Sequence, residues 1–317
     1  MNELLRRDDG LAADGPLRPA GGSPWKVVGF AGLKLAGIFL GIPVGTALLS
    51  LLSMPFLGTR RVIFAMNSAG GVFTLLSSVV VYLLLVILLE GRRRPYELAL
   101  RRSWGLLAGL GMGAALLLVC YAVVALPGGY QIGVVSHIQY GELIRKVFAA
   151  GIIAGVSEEL IYRGGLYRCI EDVLGTWGGI LVSGLAFGLV HLRNPNGSLW
   201  AAAAIALEAG LLFGVLYALT RSLWVCIGFH AAWNITQGPL MGVPISGTSA
   251  GPSVLQTTTT GPDWLTGGSF GLEASVTTVL LLTLLSVVLG VRLARHGPVV
   301  KPLWKRRAGR PRSGGRG

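Results

Sequence analysis

A chain of 317 residues that is 52% hydrophobic and only 13% charged, with a mean hydropathy of +0.66, is far poorer in charge than soluble domains, which average about 25%. That composition excludes an ordinary soluble domain and reads as a polytopic membrane protein. The net charge of +13 does not indicate nucleic-acid binding, because most basic residues flank apolar runs, where anionic lipid headgroups supply the counter-charge.

The first 25 residues are polar and rich in Gly, Pro, Asp and Arg. They lack the short apolar core and cleavage site of a signal peptide, so a disordered cytoplasmic segment 1–25 is expected ahead of a retained first span. Apolar runs of the roughly 17–25 residues needed to cross about 30 Å of hydrocarbon fall near 27–53, 68–90, 104–127, 147–170, 175–192, 199–220, 223–238 and 275–294. The expected fold is an all-α transmembrane helix bundle of about eight spans, the seventh short. Spans one to three occupy 26–140, the residues of chemical interest lie in 141–240, an outer loop and the last span fill 241–296, and a basic cytoplasmic tail runs over 297–317.

Basic residues report orientation. Arg92, Arg93, Arg94, Arg101 and Arg102 lie between spans two and three, Arg163 and Arg168 near the exit of span four, and Arg221 after span six. The loop 239–274 has no Lys or Arg, whereas the tail carries Arg292, Arg295, Lys301, Lys305, Arg306, Arg307, Arg310, Arg312 and Arg316. An integral protein of the bacterial plasma membrane with both termini cytoplasmic is therefore expected. Arg60 with Arg61, and Arg145 with Lys146, run against this assignment and are outnumbered. Cys120, Cys169 and Cys226 lie in or beside apolar runs with no metal-ligand spacing, which argues for buried thiols and against disulfides or a Cys-based zinc site.

Span four contains Val156-Ser157-Glu158-Glu159-Leu160-Ile161-Tyr162-Arg163. A charge near the centre of a bilayer helix costs on the order of 2.5–3.5 kcal/mol on insertion scales, so adjacent carboxylates need partners and mark a functional site. Glu159 and Arg163 are four apart and can form an intrahelical ion pair. Glu158 projects about 100° away round the helix, which leaves it free for chemistry. Two of the four histidines fall in later spans, and each has a companion one turn away: Phe187 with His191, and His230 with Asn234.

In order, these patterns read Glu158-Glu159-x-x-x-Arg163, Phe187-x-x-x-His191 and His230-x-x-x-Asn234. Over roughly residues 145–240 the chain resembles the CAAX-protease and bacteriocin-processing family of intramembrane endopeptidases, also called the Abi family. The resemblance implies a catalytic core over 141–240 and a membrane-associated protein or peptide as substrate. It implies that Glu158 with His191 positions and deprotonates a water, that His230 and Asn234 stabilise the oxyanion, and that Glu159 and Arg163 hold the first carboxylate in place. Peptide hydrolysis asks for these residue types, and a carboxylate in apolar surroundings is a stronger base than one in water.

Two chemistries are open on this set. Glu158, His191 and His230 can ligate Zn²⁺ or another divalent metal with a position left for water, although the HExxH helix that would make zinc a strong expectation is absent. The other is a metal-free, glutamate-dependent mechanism. Glu208 in span six is expected to line a cavity or pack between helices, and Tyr162 and Tyr167 to pack or to anchor at the interface. Gly164-Gly165 and Ala201 to Ala204 permit close helix approach. A secondary transporter would show internal repeats, and none is seen. A non-catalytic scaffold or bacteriocin-immunity protein that retains the site is the alternative function.

Overall fold

The computed structural model describes residues 24–57 and 71–306. The N-terminal segment to Ser23, the link carrying Arg60 and Arg61, and the tail from Arg307 lie outside the described residues, as do the expectations attached to them.

The chain folds as the expected all-α polytopic bundle. Its main α-helices are α1 (Pro24–Leu57), α2 (Val72–Leu84, continued by a π-helical turn to Leu89), α3 (Trp104–Ala125), α4 (Tyr140–Lys146), α5 (Ala154–Glu159), α6 (Arg168–Val190), α7 (Leu199–Ile205), α8 (Leu211–Thr220), α9 (Leu223–Ile235) and, after a long loop, a closing helix Val276–His296. Among the described residues, 6 helical stretches are long and apolar enough to cross a membrane. One of them, Tyr140–Arg193, runs through both the fourth and fifth expected spans. It is broken at Gly175, whose φ of +76° is a left-handed conformation that glycine adopts without steric cost. The seventh expected span is the 13-residue helix α9, buried along nearly its whole length because it lies inside the bundle.

Burial orders the layers. The stretch Leu199–Thr220 is 67% buried and forms the centre, whereas the first span, at 17%, faces outward with residues such as Leu40, Leu51 and Leu52. Small residues bring the backbones together, as packing in lipid requires. A Cβ on Gly109 in α3 would lie 2.2 Å from the Val225 carbonyl oxygen, and one on Gly165 would lie 2.4 Å from Ile38 Cδ1. The close approach expected of Gly164-Gly165 is thus to the first two spans.

The two ends of the bundle differ. At one end, Arg92 and Arg168 pair with both Glu90 and Glu97, Lys34 pairs with Glu90 and Asp172, and Arg221 pairs with Glu171. Arg92, Arg168 and Arg221, which the sequence offered for orientation, therefore also join an ion-pair network that ties helix ends together. At the other end, strand β1 (Tyr130–Val134) pairs antiparallel with β2 (Leu255–Thr259), in the register Tyr130↔Thr259 to Val134↔Leu255. That pairing puts the loop after α3 and the loop after α9 on the same side. Arg145 and Lys146, the basic residues that run against the orientation rule, are engaged there, with Glu142 and with the Ser249 carbonyl.

Candidate active site

The acidic pair lies where the helix after Tyr140 changes its winding. Val147–Ile153 and Leu160–Tyr167 are π-helical, and α5, which ends in Glu158 and Glu159, is the short α-helical piece between them. Such local widenings are frequent at functional sites. They rotate Glu159 into the protein, where its side chain is 0% exposed, while that of Glu158 keeps 33% exposure.

Arg163 Nη1 donates to Glu159 Oε1 at 3.0 Å, the pair expected from their spacing. Arg163 is itself fully buried and does more than neutralise a charge. Its Nη2 donates to the carbonyls of Ala209 (3.2 Å) and Gly210 (3.4 Å), and its Cζ lies 4.7 Å from the Phe187 ring centroid and 4.9 Å from that of Phe213. One guanidinium thus ties span four to spans five and six, which a planar fork does and an ammonium does not.

His230 Nδ1 also lies 3.0 Å from Glu159 Oε1. A carboxylate at Nδ1 fixes that nitrogen as the proton-bearing one and turns Nε2 outward. Here Nε2 points to Glu158, with Oε2 3.9 Å away. The ring is stacked on Phe213, with centroids 5.5 Å apart and planes at 25°. The resemblance assigned Glu159 to holding Glu158; its direct bonds in the structure go to Arg163 and His230.

His191 lies just past the end of α6, in a 3₁₀ turn, and its Nδ1 is 2.6 Å from the Phe187 carbonyl. A carbonyl accepts only, so Nδ1 carries the proton and Nε2 has its lone pair free. Phe187 packs edge-on to His191, with centroids 5.0 Å apart, and to Tyr162, also at 5.0 Å. That explains the companion residue in the FxxxH pattern as a support for the ring. Phe187 also faces the His230 ring, with centroids 6.1 Å apart, so one phenyl ring supports both imidazoles, and His230 Nε2 is in turn the atom beside Glu158. Asn234 Nδ2 donates to the Ala150 carbonyl at 2.8 Å, which leaves the second hydrogen of that amide. Tyr162 and Tyr167 both pack inside the protein, and Tyr167 donates to Glu171.

His191, His230 and Asn234 line one cavity of about 30 Å³, together with Glu208, Ser246 and Glu273. That is room for one or two waters among polar groups. Sequence reading placed Glu208 at a cavity and missed Glu273 and Ser246, which come from the long loop after α9 and carry no periodic signal. Among the described residues no group of three or more His, Cys, Asp or Glu side chains is gathered closely enough to hold a metal ion. Glu158, His191 and His230 therefore do not form a ligand set.

Residues 141–236 match the family model described as type II CAAX prenyl endopeptidase, Rce1-like. The matched segment contains all three motifs and bears out the family resemblance drawn from them. A sequence search of curated proteins finds no match to the chain.

Proposed function

We propose that this protein is an intramembrane endopeptidase that hydrolyses a peptide bond in a membrane-associated protein or peptide. The reading is carried by Glu159 Oε1, which is shared by Arg163 and His230 and leaves Glu158 as the second carboxylate, beside His230 Nε2 and without a hydrogen bond of its own.

In this mechanism His191 Nε2 accepts a hydrogen bond from the water and Glu158 takes its proton as the oxygen attacks the scissile carbonyl. General-base assistance of this kind contributes about 10²–10⁴-fold. Negative charge then develops on the carbonyl oxygen, and the donors that meet it are the free hydrogen of Asn234 Nδ2 and, when the ring is an imidazolium, His230 Nε2. Preorganised donors of this type are worth on the order of 10²–10³ each. Charge balance supports that assignment: Arg163 offsets one carboxylate of the pair, and a protonated His230 offsets the other. As the carbon–nitrogen bond breaks, Glu158 returns the proton to the leaving nitrogen, and the products are a carboxylate and an amine. Since the three candidate donors do not form a ligand set, no step is routed through a metal.

The test is purified protein in nanodiscs, incubated with membrane peptides beside Glu158→Ala, with cleavage sites read by mass spectrometry. The matched family is described as a prenyl endopeptidase, so each peptide is supplied with and without a prenyl group. Fragments that form with wild type and not with the variant support the reading. Equal cleavage by both, or none by either, overturns it in favour of a non-catalytic scaffold.

A further inference from the structure

The cavity holds a second acidic feature that the hydrolysis does not use. Glu208 sits in the π-helical turn Ala206–Gly210, is 1% exposed, and its Oε2 has no hydrogen-bond partner. Glu273 lies in the turn Leu272–Ala274 before the last span and is 2% exposed. Its oxygens receive Gln237 Nε2, Ser246 N at 3.0 Å and Ser246 Oγ at 3.1 Å, all neutral donors. No Lys or Arg is among the residues that line the cavity, and Glu208 and Glu273 line it together. The backbone is shaped to allow this. Gly271 has φ +115°, and a Cβ there would lie 2.7 Å from Glu273 Oε2 and 3.0 Å from Gln237 Nε2.

The unsatisfied atoms of this cluster have one chemical sense. Glu208 Oε2 and Gln237 Oε1 are both buried acceptors without a donor. The Gln237 amide orientation is fixed, because its nitrogen faces two acceptors, Glu273 Oε2 and the Pro244 carbonyl. The cluster therefore has more buried acceptors than donors, and a group that brings donors and positive charge suits it. Phe187, Phe213, Phe229 and Trp233 wall the cavity, and aromatic faces attract cations. Its volume of about 30 Å³ has room for the head of an ammonium group. Two carboxylates without a third His, Cys, Asp or Glu ligand make a poor metal site, in keeping with the absence of any such group among the described residues.

We propose that Glu208 and Glu273 form a subsite for a primary amine, beside the residues that carry the hydrolysis. What the amine belongs to rests on the peptidase reading: it is either the amino terminus released on the leaving half of the substrate or a lysine side chain of that half.

Binding is tested without turnover, so that a failed peptidase reading and a failed subsite are told apart. The probe is 3-fluoropropylamine, charged at neutral pH, added to the full chain in nanodiscs and followed by broadening of its ¹⁹F resonance, with N-acetyl-3-fluoropropylamine as the neutral control. Wild type and Glu158→Gln are expected to broaden the charged probe, and Glu208→Gln and Glu273→Gln to bind it at least tenfold more weakly. The acetylated probe should not bind to wild type, a comparison that holds even if a variant misfolds. Equal binding of both probes by wild type, or undiminished binding by a folded Glu208→Gln, overturns the subsite. Competition by a short peptide with a free amino terminus, against an N-acetylated peptide bearing one lysine, identifies the source of the amine. Displacement by neither peptide, with the charged probe bound, overturns the assignment to substrate.

Discussion

Glu159 Oε1 lies 3.0 Å from His230 Nδ1 and accepts Arg163 Nη1 at the same distance, so a single buried oxygen orients both the histidine of span seven and the arginine of its own helix. Breaking a buried pair by removing one partner costs about 3–5 kcal/mol, because the other charge is left uncompensated. Glu159→Ala should therefore lower the detergent-solubilised thermal midpoint as well as activity. A variant that loses activity at an unchanged midpoint would show that this oxygen does not hold the helices together.

Glu158 should behave differently. Its side chain is one-third exposed and its nearest charged contact, His230 Nε2, is 3.9 Å away, so Glu158→Gln removes a base and little packing. Turnover should fall by about 10²–10⁴, while membrane insertion and thermal midpoint stay close to wild type. Appreciable turnover by the purified variant would refute the assignment of Glu158 as base.

Two buried carboxyls should make stability depend on pH in opposite directions and in separate windows. Burial raises the Glu273 carboxyl to about 7 against donors from Gln237 and Ser246 that favour ionisation. A raised folded-state value means that its contribution is fully present below the ordinary carboxyl value of about 4.5 and is lost as pH rises through about 7. The size is roughly 3 kcal/mol for the span between those values. Burial also disfavours ionised Glu90, but Arg168, Lys34 and Arg92 outweigh it and hold the carboxyl at about 2. That contribution is present above about 4.5 and is lost as pH falls toward 2. Thermal midpoints between pH 5 and 9 should decline from pH 5 to about 7 and level off above it for wild type, and stay flatter for Glu273→Gln. Parallel curves would rule out Glu273 as the group responsible.

Orientation in the membrane is checked by labelling. Thr258, exposed on β2, and Arg93, exposed among the arginines between the second and third spans, lie at opposite ends of the bundle. A cysteine at position 258 should react with an impermeant thiol reagent from outside intact cells, and one at position 93 should not. The reverse pattern inverts the topology.

The spans and the three motifs were legible because hydropathy and four-residue spacing are local properties of the chain. Glu159 with Arg163, and the separate direction of Glu158, follow from helix geometry alone. The tie from Glu159 to His230 does not, since it joins residues 71 apart. The cluster of Gln237, Ser246 and Glu273 is closed by the irregular loop after α9, where no periodicity marks which side chain turns inward. The arginines at the other end of the bundle were read for orientation only. Their second role emerges once Glu90, Glu97 and Glu171 are seen to face them.

The choice between a metal and a metal-free route makes opposite demands on the same residues. In the structure His191 Nδ1 faces the Phe187 carbonyl and His230 Nδ1 faces Glu159, so each ring has only Nε2 to offer, as a ligand to an ion or as a partner to water. If Glu158, His191 and His230 hold Zn²⁺, replacing either histidine by Ala should remove stoichiometric metal, because two remaining protein ligands seldom retain zinc. If Glu158 is the base of a histidine-positioned water, the route this geometry favours, purified protein should contain substoichiometric metal and keep turning over after thorough chelation. Elemental analysis and activity are measured together, before and after chelator. Full activity in a metal-free sample eliminates zinc, and activity lost on chelation and restored by Zn²⁺ eliminates the metal-free route.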